Sequence, residues 1–133
     1  MAKDLVSFLA ETPISELEQT VTISGRLSAF TFKIKPMSSN QFYTYQQIAT
    51  TMGKDKNIKF NTGRFNELII LNHVVDPNFR NASTLESAGV NTPQEFLNKF
   101  FLAGELVELA DKITEISGFN QTEQELEDEV KNS

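Results

Sequence analysis

Few residues in this chain have the type and spacing to do chemistry. His73 is the only histidine, and Asp76 follows three residues later. That spacing can set both on one helical face as two ligands of a metal, but a site needs three or four. No motif marks a third, and a histidine closing the end of a buried helix is the plainer expectation. Glu105, Glu108, Asp111 and Glu115 recur at helical steps. Paired carboxylates can do acid–base work; a solvated helix face opposite an apolar stripe explains these more simply. Serine and threonine are plentiful, yet there is no Gly-x-Ser-x-Gly and a single histidine to act as base. The six glycines are scattered singly, so no loop can cradle a phosphate. The sequence argues against an enzyme and offers no catalytic, cofactor or metal residues.

Binding chemistry is better represented. Lys33, Lys35, Lys54, Lys56, Lys59 and Arg64 lie near Phe30, Phe32, Tyr43, Tyr45 and Phe60 in sequence, and basic grooves with aromatic platforms hold single-stranded nucleic acid. Two facts count against that use. The strand phenylalanines share an apolar face wanted by the core, and the sequence pI is near 4.8, where dedicated binders tend to be basic.

The net charge of −6 is unevenly spread. Residues 26–64 hold seven basic residues and one acid, whereas residues 1–25 hold four acids and one lysine. Residues 65–120 and 121–133 are acidic again. A basic middle between acidic ends is either an internal electrostatic match or a patch for an acidic partner. Cysteine is absent, which excludes disulfides and thiolate metal sites and fits a cytosolic protein. The N-terminus lacks the basic start and long apolar run of a signal peptide, and no stretch approaches the roughly 20 apolar residues of a membrane span.

The elements that must position these residues follow from periodicity. Leu5, Val6, Phe8 and Leu9 suggest a short helix, and Thr12-Pro13 a second helical turn. Val21 and Ile23, then Phe30, Phe32 and Ile34, alternate with polar residues. With Ser24-Gly25-Arg26 as the turn, they predict a β-hairpin over 18–35. Ser38 and Gln41 open a helix over 38–52 as a capping box, ended by Gly53. The lysine-rich segment after it reads as a flexible loop. Residues 64–75 are apolar nearly all round, which predicts the buried central helix, stopped at Asp76-Pro77. Ser83 with Glu86, and Thr92-Pro93 with Glu95, open helices over 83–88 and 93–102. The stripe Leu106, Leu109, Ala110, Ile113, Ile116 sets the last helix over 104–117, closed by Gly118. The expectation is one α+β domain over 1–120, mainly helical, with an early hairpin and a helical C-terminal half. Residues 121–133 form an acidic, flexible tail.

Three stretches carry a resemblance: "DLVSFLAE", "ELIILNHVVDPNFRNASTLESAGV" and "TPQEFLNKFFLAGELVELADKITEISGF". Their helix punctuation resembles the XkdN-like phage tail assembly chaperones of prophages and contractile-tailed phages of Gram-positive bacteria. Ala103 stands where that pattern would have proline. The resemblance implies a non-enzymatic protein of the bacterial cytoplasm without cofactors. It implies binding to the long tape-measure protein while the tail tube polymerises; the tail tube protein and self-association of the chain are the further partners expected. It also implies absence from the finished virion. A structural tail or baseplate component that stays in the particle, and a small nucleic-acid-binding regulator, are the alternatives. Phe100, Phe101, Leu102 and Val107 widen the apolar arc of the last two helices beyond one core-facing stripe. They are the candidate partner-binding residues, with core filling on two sides as the plain alternative.

Overall fold

The computed structural model describes residues 4–119. The expected tail over 121–133 lies outside them. In chain order the elements are α1 (Leu5–Glu11), β1 (Gln19–Val21), β2 (Phe32–Ile34), α2 (Ser39–Ala49), β3 (Thr50–Met52) and β4 (Ile58–Phe60). Then follow α3 (Thr62–His73), β5 (Val74–Asp76), α4 (Ala82–Ala88), α5 (Pro93–Phe100) and α6 (Ala103–Ile116). The result is a mainly helical α+β fold, as the sequence predicts.

Helix α3 is the centre. It packs against α6, α2 and α5, and Ile69, Ile70, Leu71 and His73 are buried. Leu109, Ala110 and Ile113 meet it from α6, and Leu97 from α5. On the other side Phe32 and Ile34 of β2 point inward while Lys33 points out, the period-2 pattern of a half-buried strand. At roughly 25 cal/mol per Å² of apolar surface, burial of these branched side chains supplies the main drive to fold.

Several expectations are corrected. β1 and β2 do pair antiparallel, Val21 opposite Phe32, but residues 22–31 are not a tight turn. Gly25 takes φ +82° inside a 3-10 turn over Gly25–Leu27, Ile23 is buried, and Phe30 is off the strand. The central helix ends at His73, and Val74–Asp76 become a third strand beside β2. Two β-branched residues before a proline favour extended backbone, and the open edge of β2 supplies hydrogen-bond partners. The helix from Ser39 stops at Ala49, since β3 and β4 form a separate hairpin with Met52 opposite Ile58. The lysine-rich segment therefore holds a turn and a strand.

Caps explain most helix boundaries. Ser38 and Gln41 exchange both capping hydrogen bonds. Thr92 Oγ1 accepts from Glu95 N at 3.1 Å. α4 starts earlier than expected, because Asn81 and not Ser83 caps it, accepting from Thr84 N at 3.2 Å. Gly89 ends it in the left-handed conformation at φ +73°, which glycine enters without a Cβ penalty.

Candidate partner-binding groove

A ring of phenylalanines lies where the start of β2, the Pro77–Phe79 segment and α5 meet. Phe79 is its buried anchor, with Phe96 and Phe101 at centroid distances of 5.8 and 5.7 Å. Phe96 also meets Phe100 at 5.1 Å. Edge and tilted contacts at these separations are favourable beyond area burial. Between this cluster and Phe30 opens a groove of about 680 Å³, lined also by Leu27, Phe32 and Pro77. Phe30 is 60% exposed and Phe100 42%, so both present surface to solvent.

One wall is held by charge. Arg26 donates from Nε to Glu105 Oε2 and from Nη2 to Glu105 Oε1, each at 2.8 Å. Nη2 also donates to the Phe100 carbonyl at 2.7 Å, and Leu102 N donates to Glu105 Oε1 at 2.7 Å. The fork ties the β1–β2 connection to the corner between α5 and α6. Glu105 is buried, and the Arg26 hydrogen bonds hold its carboxyl below the usual glutamate range. One turn on, Glu108 accepts from Ser24 N at 2.8 Å and from the Ser24 hydroxyl, which lowers its pKa too. Two members of the supposedly solvated carboxylate face are thus tethers. Asp111 shifts upward instead, through burial and then through Glu115 and Glu108.

Of the four candidate residues, Phe100 and Phe101 line the groove. Phe101 is half-buried and Phe100 exposed. Leu102 precedes α6 as its N-cap and Val107 sits on α6; both are exposed and neither lines the groove. Sequence reasoning missed Phe30, Phe79 and Arg26 as groove residues. The signal for Phe30 was its place among turn-forming residues after Gly25. Nothing local marked the other two.

The polar part of the lining comprises Arg26, Thr31, Asp76, Asn78, Asn81 and Thr84. Asn81, on its wall, caps α4, and Asn78 Oδ1 accepts from Arg80 N at 3.0 Å. His73 lies elsewhere, fully buried, with Nε2 2.8 Å from the Tyr45 hydroxyl. Burial, then the Lys35 charge, press its pKa from 6.5 to about 4. Among the described residues no group of three or more His, Asp or Glu could hold a metal ion, and no helix is long and apolar enough to cross a membrane. The exposed rings of Phe30 and Phe100 give the groove its open apolar surface.

Residues 5–131 match the family described as phage XkdN-like tail assembly chaperone protein, TAC. The chain belongs to that family. The match spans every helix and strand of the described residues, from α1 through α6, so the groove and its Arg26–Glu105 brace lie within the family region. An assembly-chaperone family is non-catalytic in general. The fold is also similar to the crystal structure of the protein yqbn, a structural genomics target. Identity is 21% and the TM-score 0.62, covering 90% of this chain and 99% of that one. No curated protein matches the chain.

Proposed function

We propose that this tail assembly chaperone holds the tape-measure protein in the host cytoplasm while the tail tube forms, and does so by binding and not by catalysis. The observation that supports this is the phenylalanine groove, with Phe30 and Phe100 exposed in its lining. A long helical protein with apolar stripes aggregates unless those stripes are covered. A groove lined by rings covers such a stripe by taking side chains at helical spacing, the helix-in-groove mode. Lys99 Nζ lies 5.5 Å from the Phe100 ring centroid, which places a cation beside the groove for acidic residues flanking the stripe.

The test is co-expression with the long helical protein encoded beside this one, followed by pull-down and light scattering. The expected result is a soluble complex, with the long partner insoluble alone. A partner equally soluble by itself, with no complex, rejects the reading.

A further inference from the structure

Away from the groove, two segments present apolar side chains that the fold leaves open, and they carry opposite charge. α1 has no buried residue. Leu5, Phe8 and Leu9 fall at i, i+3 and i+4 and are exposed, as are Ile14 and Leu17 beyond the helix. Residues 4–18 include four carboxylates and no lysine or arginine, although Asp4 is held as the cap of α1 and Glu18 lies 3.8 Å from Lys33. So short a helix gains little from its own hydrogen bonds, and contiguous apolar exposure marks an interaction surface.

The second segment is the β3–β4 hairpin. Met52 and Ile58 face each other across the strands and are 69% and 71% exposed. Their face continues through Phe60, whose ring rests 5.3 Å from Phe65. Lys54 and Lys56 lie in the turn, with Lys59 and Arg64 close behind. Asp55, the one acid of this stretch, is occupied by the turn. Its oxygens accept from Asn57 N at 3.1 Å and Asn57 Nδ2 at 2.8 Å. The two strands form a sheet by themselves, and a two-stranded ribbon is marginal without a partner.

We infer that the acidic α1 segment of one copy docks on the basic β3–β4 hairpin of a second copy. The apolar face of α1 covers Met52 and Ile58, and the net negative charge of residues 4–18 lies against the lysine-bearing turn. Because the two surfaces differ, the contact is heterologous, and each copy keeps a free surface of either kind to extend the series. Phe30 and Phe100 take no part, so the inference does not rest on the tape-measure reading.

Sedimentation velocity on the full chain tests it, with Leu5→Asp/Phe8→Asp and Lys54→Glu/Lys56→Glu as variants. All the substituted positions are exposed, and thermal melts check that folding is kept. The wild type associates beyond a dimer, and raising salt from about 50 to about 500 mM weakens this roughly tenfold. Each variant alone is a monomer. An equimolar mixture of the two forms a one-to-one dimer that grows no further, because one intact helix and one intact hairpin remain. A monomeric wild type, as α1 closing on its own hairpin would give, overturns the inference, and so does a mixture that stays monomeric. Glu125→Gln/Glu127→Gln/Glu129→Gln leaves association unchanged; loss of association there assigns the hairpin to the C-terminal segment and likewise overturns it.

Discussion

Arg26 and Glu105, 79 positions apart, meet as a two-pronged ion pair with both nitrogen–oxygen distances at 2.8 Å. Glu105 is buried, whereas Arg26 remains half open to solvent at its outer side. The pair fixes where Phe100 sits, because the same guanidinium holds the Phe100 carbonyl. Removing one partner leaves a buried charge without its counterion, which costs more than removing both. Arg26→Met therefore lowers the urea midpoint more than Arg26→Met/Glu105→Gln does. The sign with pH follows from the depressed glutamate pKa. The contribution is present above the unfolded glutamate value and is lost as pH falls through the folded one. Wild type and Arg26→Met thus converge in stability in acid.

A second prediction concerns His73. Its folded pKa, about 4, lies below the ordinary 6.5, so the unfolded chain binds the extra proton first. Stability is full above pH 6.5 and falls as pH drops toward 4. The loss from this group is on the order of 2–3 kcal/mol between pH 7 and 4.5. Urea titrations across that range measure it, and Tyr45→Phe/His73→Leu, which removes both buried polar partners, flattens the slope.

The two faces of α6 respond differently to truncation. Leu109 is fully buried between α6 and α3, and Leu109→Ala costs about 2–5 kcal/mol. Val107 is exposed, and Val107→Ala stays within about 0.5 kcal/mol. Equal losses by thermal or urea unfolding would place Val107 in the core.

Glycine substitutions give opposite signs. At Gly89 an added Cβ meets nothing within 4 Å, but φ is +73°, so Gly89→Ala costs about 1–2 kcal/mol in backbone strain. Gly104 sits in the first turn of α6, also with nothing within 4 Å of a new Cβ. Gly104→Ala gains about 0.5 kcal/mol. Thermal melts of the two variants on either side of the wild type are the expected outcome.

Local signals in the sequence wrote much of this structure plainly. The Phe32–Ile34 alternation, the Ser38–Gln41 box and the Thr92-Pro93 start each act within a few residues, and each is found in place. What stayed hidden depends on distant partners. Val74 and Val75 continue an apolar helical run, and only the β2 edge, some forty positions earlier, makes them a strand. Ile58 and Phe60 were masked by the lysines between and around them, so their pairing with Thr50 and Met52 was not visible. Glu105 carries the same charge as its solvated neighbours, and its partner Arg26 lies in a different element. The groove was half legible for the same reason: Phe100 and Phe101 show as apolar surplus on one helix, while Phe30 and Phe79 join them only in three dimensions.

The central claim is that the phenylalanine groove is where this chaperone holds its apolar partner. Co-purification of the tape-measure protein with Phe30→Glu/Phe100→Glu tests it most directly, since both rings are exposed and folding is checked by the thermal melt. The account predicts a folded chaperone that no longer brings the partner down in soluble form. A folded double variant that captures the partner as well as the wild type would contradict it.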